Sequence, residues 1–149
     1  MEEVDSLALN VLVVDDSAVM RKMIIRSLQL SGLPIGRISE AGNGKEGLEV
    51  LEQDWIDLAL IDINMPVMNG EEMIEEIRKN PQMKDLPLIV VSTESSESRI
   101  EMLQKKGAGF VHKPFNPTSL RETIMELTGV KHDDGKMPEE FDGGGGSDF

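Results

Sequence analysis

The sequence predicts a doubly wound α/β fold, a parallel sheet of five strands with helices on both faces. Three observations lead there. Short apolar runs of the kind that suits strands buried on both sides recur at Val11-Leu12-Val13-Val14, Leu58-Ala59-Leu60-Ile61 and Leu88-Ile89-Val90-Val91. Amphipathic stretches at helical spacing separate them, so two periods alternate from Asn10 to Thr128. With weaker strand candidates at residues 37–41 and 109–112, the chain offers five strand–helix units in succession. Such a series closes only as a parallel sheet with right-handed crossovers.

The first strand runs into Asp15-Asp16, and Ser17 is placed to cap the first helix. Met20, Ile24 and Leu28 share one face of that helix before Ser31-Gly32 stops it. The second strand, 37–41, leads to a helix marked by Leu48 and Leu51. The third strand ends on Asp62, followed by Asn64-Met65-Pro66 and Gly70. Asn69 or Gly70 begins the third helix, whose apolar face carries Met73, Ile74 and Ile77 and which Asn80-Pro81 ends. The fourth strand leads to Ser92, and Ile100 and Leu103 mark a fourth helix ending near Gly107. After the fifth strand comes Lys113-Pro114-Phe115, and Thr118 is the expected cap of a last helix with Leu120, Ile124 and Leu127 on one face.

Beyond Gly129 the pattern fails. Residues 131–149 carry six acids, two lysines and a Gly143-Gly144-Gly145-Gly146 run, without apolar periodicity. They read as a disordered, acidic, Gly-rich tail, leaving 1–130 as a single folded domain. The Gly-rich run followed by Ser147 also looks like an engineered linker.

Composition narrows the function. A formal charge of −13 would repel nucleic acid. The absence of cysteine excludes disulfides and thiolate metal sites and agrees with a reducing cytoplasm. The amino terminus, Met1-Glu2-Glu3-Val4-Asp5, has neither the basic region nor the apolar run of a secretory signal. No apolar stretch approaches the roughly 20 residues that span a bilayer. The expectation is a cytoplasmic protein with no membrane insertion.

In sheets of this kind ligands bind outside the carboxyl ends of the strands. Asp15, Asp16, Asp62, Ser92 and Lys113 all fall there. Three carboxylates brought to one rim are costly unless a divalent cation sits among them. Hard oxygen ligands suit magnesium, which keeps several of its waters. A carboxylate can attack phosphorus and form an acyl phosphate if metal and cation screen its charge from the donor's. Lys113 would supply a compact cation for the phosphoryl oxygens.

Taken together, Asp15-Asp16, Asp62 with Met65-Pro66 and Gly70, Ser92, and Lys113-Pro114-Phe115 resemble the motifs of receiver domains of bacterial two-component response regulators. The match is nearest to single-domain, CheY-like chemotaxis regulators and covers about Asn10 to Thr128. The resemblance implies the flavodoxin-like strand order 2-1-3-4-5, which those regulators exemplify. It implies that Asp62 is the phosphoacceptor. Asp16 would bind magnesium directly, Asp15 through water, and Asn64 through its backbone carbonyl. Ser92 matches the hydroxyl that moves toward the phosphoryl group, Lys113 the cation that pairs with it, and Phe110 the aromatic switch three residues before that lysine. A cis Lys113–Pro114 bond is implied as well. The implied partners are a histidine kinase, an output protein such as a flagellar switch component, and a phosphatase, with the chain a monomer.

Some positions depart from the chemotaxis members. Ile63 follows the phosphoacceptor where they have tryptophan, and Phe110 replaces tyrosine. Ser92 replaces threonine, and Thr93 replaces a small alanine and is expected to crowd the phosphoryl pocket. Asn64 and Glu94 match them at the two variable positions that modulate dephosphorylation.

Two other classes use related parts. Haloacid-dehalogenase-type phosphatases also form an aspartyl phosphate, but place a second aspartate two residues after the nucleophile. Here that residue is Asn64, which cannot transfer a proton. A flavodoxin-like electron carrier needs a phosphate-cradling first loop, and Asp15-Asp16 would repel phosphate. The expected function is therefore phosphorylation-dependent signalling, most plainly in chemotaxis, with a phosphorelay intermediate as the alternative. Catalysis would be limited to the domain's own phosphorylation and dephosphorylation.

Overall fold

The protein's structure is a computed structural model that describes residues 8–130. Ten elements alternate: β1 (Leu9–Val14), α1 (Ala18–Leu30), β2 (Ile35–Ala41), α2 (Gly44–Gln53), β3 (Leu58–Ile61), α3 (Gly70–Lys79), β4 (Leu88–Ser92), α4 (Glu97–Lys105), β5 (Ala108–His112) and α5 (Pro117–Thr128). The sheet order is β2-β1-β3-β4-β5, and every pairing is parallel. The expected doubly wound fold and its strand order are both present.

Alternation along the strands explains why they are apolar throughout. Val11, Val13, Leu58, Leu60, Ile89, Val91 and Val111 face Ile24 and Leu28 of α1 and Leu120 and Ile124 of α5. Leu12, Val14, Ala59, Ile61, Leu88 and Val90 face Met73, Ile74 and Ile77 of α3 and Leu103 of α4. Both sides of the pleat are buried, so polar residues on the central strands are confined to their ends, Asn10 near the start of β1 and Ser92 at the end of β4.

Several boundaries differ from the sequence reading. β1 and β2 each begin two residues earlier, because Leu9 pairs with Ile35 and its N–H donates to the Pro34 carbonyl at 2.7 Å. α5 is capped by Asn116 and not by Thr118. Pro117 has no N–H to lose and a φ suited to the first helical position, so the helix starts two residues sooner. The Asn116 side chain accepts from Ser119 N–H at 2.8 Å, and Ser119 Oγ accepts from Asn116 N–H at 3.4 Å.

In α2 the buried positions are Gly44 and Gly47, while Leu48 and Leu51 are only partly covered. A Cβ on Gly47 would lie 2.6 Å from Met73 Cε, so glycine is what lets α2 approach α3. α5 ends at Gly129 in a left-handed conformation, and the tail proposed for residues 131–149 lies outside the described residues. Among the described residues no helix is long and apolar enough to cross a membrane.

Candidate functional site

Register brings the acidic residues together. β1 pairs with β3 as Val14 opposite Ile61, so Asp15 and Asp62 emerge side by side from adjacent strands. Asp62 N–H donates to the Val14 carbonyl at 2.9 Å, which continues the ladder one step past the sheet. Asp15 is 1% exposed and Asp62 9%, whereas Asp16 points to solvent. One carboxylate oxygen from each of the three lies within 4.8 Å of the others.

At the ends of the next two strands, Ser92 pairs with His112, and Lys113 N–H donates to the Ser92 carbonyl at 2.9 Å. This directs the Lys113 side chain back over the rim. Its Nζ sits 3.1 Å from Asp15 Oδ2 and 3.5 Å from Asp62 Oδ1. The Lys113–Pro114 bond is cis, as the family resemblance implied. Ser92 is 1% exposed, and its Oγ accepts from Glu94 N–H at 3.1 Å. Thr93, expected to crowd this pocket, is exposed instead.

Burial pushes the Asp62 carboxyl above its ordinary value, and the negative charge of Asp15 adds to the rise. Lys113 and the Ile63 N–H, which donates to Asp62 Oδ1 at 2.8 Å, pull the other way without prevailing. One lysine thus faces three carboxylates, and the residual negative charge favours a cation.

The loop after β3 is shaped for close approach. Gly70 N–H donates to the Ile63 carbonyl at 2.8 Å, and a Cβ on Gly70 would lie 2.2 Å from the Asp62 carbonyl oxygen, so no other residue fits there. Asn69 then starts α3 with a full capping box to Glu72. Asn64 is exposed at the turn. Val67 has φ +67° and sits inside a tight turn closed by Met68 N–H to the Pro66 carbonyl at 2.7 Å.

Phe110 pairs with Val90, on the same sheet face as Ser92, and is partly buried against the α3–α4 core. Its ring meets His112 edge-on at 4.8 Å.

Three features were missed from sequence. Arg21 Nη1 donates to the Asp15 carbonyl at 2.5 Å while its Nε pairs with Glu40 at 2.8 Å, so a cation props the acidic pair from behind. Its place on the first turn of α1, beside the Asp15-Asp16 pair, was the available signal. Val67 carried none, because a β-branched residue argues against positive φ. The third is Arg99, which joins Glu71 at the start of α3 to Glu94 after β4; long-range side-chain pairing of this kind leaves no periodic trace.

Comparison with known proteins agrees with this geometry. Residues 11–125 match the family model described as the response regulator receiver domain. The chain is 32% identical over 129 residues to a chemotaxis protein CheY homolog of Campylobacter jejuni, covering 85% of this chain and 98% of that one. Among solved structures it is similar to the chemotaxis protein CheY4 of Vibrio cholerae, at 34% identity and TM-score 0.71, over 80% of this chain and 98% of that one. It is also similar to a chain of the CheX–CheY–BeF3–Mg2+ complex of Borrelia burgdorferi, at 27% identity and TM-score 0.74, over 83% and 90%.

Proposed function

The chain belongs to the response regulator receiver family, and from that premise we propose that it takes a phosphoryl group onto Asp62 and signals by the change that follows. The family is one of signalling domains, not of enzymes that turn over other substrates. What carries the reading is the meeting of three carboxylates within 4.8 Å and a lysine Nζ shared between two of them.

The residues fit magnesium. The donor set is all oxygen, two of its members are buried, and a single cation leaves it under-neutralised. Asp15, Asp16 and Asp62 would hold the ion, with the Asn64 backbone carbonyl as a further ligand. When bound it would neutralise the carboxylates and screen the incoming phosphoryl oxygens.

Asp62 contributes the nucleophilic oxygen: an O–P bond forms as the P–N bond of a phosphohistidine donor breaks, and the imidazole leaves with its electron pair. Lys113 Nζ stands beside the Asp62 carboxylate and would pair with a phosphoryl oxygen as it loses its share of Asp62 charge. Ser92 is buried at the neighbouring strand end, where its hydroxyl can donate to another phosphoryl oxygen. Phe110, on the same face, is the residue through which that movement would reach the α4–β5–α5 surface.

A histidine kinase is the proposed donor and a flagellar switch component the proposed output, supported by the chemotaxis proteins among its relatives. A phosphatase partner is supported by the neighbour found with CheX, BeF3 and Mg2+. The proposed setting is the cytoplasm, with the chain a monomer. Asp16→Ala tests the metal assignment, because this exposed carboxylate can be removed without disturbing the core. Magnesium-dependent phosphorylation should be lost with the melting temperature kept, and an unchanged phosphorylation rate would refute the site.

A further inference from the structure

Arg99, on α4, touches neither Asp62 nor Lys113, yet it spans the two loops that carry Asp62 and Ser92. Its Nε and Nη2 donate to Glu71 Oε2 and Oε1 at 2.8 and 2.9 Å, a two-pronged pair with good geometry. Its Nη1 donates to Glu94 Oε1 at 3.1 Å. The other Glu94 oxygen accepts from Ser96 N–H at 3.0 Å, so the carboxylate is held at both ends.

Each end of this bridge leads to the site. Glu71 follows Gly70, whose backbone lies against the Asp62 carbonyl and bonds to Ile63. Glu94 N–H donates to Ser92 Oγ at 3.1 Å. Displacing Ser92 toward Asp62 must therefore either break that hydrogen bond or drag Glu94 away from Arg99.

We propose that Arg99 is a positioning residue for Ser92: by bridging Glu94 to Glu71 it holds the segment after β4 in its resting place and so weakens the site's hold on a phosphoryl group. The proposal rests on the reading of Asp62 as phosphoacceptor. It gives this chain a means of setting its own threshold, separate from the residues that touch the phosphoryl group.

Beryllofluoride with magnesium, a stable stand-in for the phosphoryl group, separates the possibilities when titrated into the full chain and followed by amide NMR shifts. Arg99→Ala and Glu71→Gln should each tighten beryllofluoride binding about threefold, the scale on which partly exposed ion pairs act. The double variant should bind no tighter than either single one, because both break one bridge. Arg99→Lys keeps the charge but not the fork and should fall between wild type and Arg99→Ala. Equal or weaker binding by Arg99→Ala with an unchanged melting temperature would overturn the bridge and leave the phosphoacceptor reading intact. Should Arg99→Ala fail to fold, Glu71→Gln decides by the same criterion. Additive tightening in the double variant would also overturn it, and no binding by wild type would overturn both readings.

Discussion

Lys113 reaches across the rim of the sheet to Asp15, 98 residues earlier, with Nζ 3.1 Å from Oδ2. Both groups are nearly buried, so each is the other's main compensation for lost water. In the resting site the lysine is nearer to Asp15 than to Asp62. Arrival of a phosphoryl group would shift that balance, because its oxygens offer the ammonium a stronger partner.

Lys113→Ala leaves the Asp15 carboxylate buried beside Asp62 without the cation on its oxygens, since Arg21 bonds the Asp15 backbone carbonyl. In metal-free buffer it should cost about 3 kcal/mol of stability, the scale for removing one partner of a buried pair. Magnesium should restore most of that loss, and phosphoryl transfer should fall. Thermal unfolding with and without magnesium measures the effect, and a metal-independent loss would contradict it.

Asp62 gives a pH dependence of opposite sign to the usual carboxylate. Burial raises its folded value above the ordinary 3.8, so between those two values the folded chain holds more protons than the unfolded chain. Stability from this group is therefore fully present below the unfolded value and is lost as pH rises through the folded one. Asp62→Asn should raise the melting temperature of the metal-free protein at neutral pH by a few degrees, and the gain should shrink toward pH 3.8. Thermal scans across pH check this; a lowered melting temperature at pH 7 would contradict it.

Val67 is 76% exposed and holds a positive φ, so its side chain contributes little packing while its backbone is strained. Val67→Gly relieves the strain and adds back some unfolded-state entropy. The net gain should be about 1 kcal/mol, read from chemical denaturation. A loss of stability would show that the turn is not strained.

Phe110→Ala removes a partly buried ring on the Ser92 face. It should cost about 2 kcal/mol of stability, less than a fully buried aromatic would. Phosphorylation at Asp62 should persist while phosphorylation-dependent partner binding weakens, as measured by a pull-down with and without beryllofluoride. Unimpaired binding would remove Phe110 from the signal's path.

Much of this was legible before the structure, for physical reasons. Strands buried on both faces must be apolar runs, so residues 58–61 were placed to the residue. Asp15, Asp62, Ser92 and Lys113 were legible because they interrupt such runs at their carboxyl ends. Local capping was less clear: Thr118 and Asn116 are both good caps, and only Pro117 between them decides. The Gly44 and Gly47 contact face was hidden because glycine carries no hydropathy signal. Arg99 was hidden because its partners lie 28 and 5 residues away, on other turns of chain.

The central claim is that Asp62 is the nucleophile. Intact-protein mass spectrometry after incubation with acetyl phosphate tests it most directly, with and without magnesium. The account predicts one phosphoryl adduct that requires magnesium, is labile as acyl phosphates are, and is absent from Asp62→Asn. An adduct of equal yield in Asp62→Asn, or one that survives acid as a serine phosphate does, would contradict it.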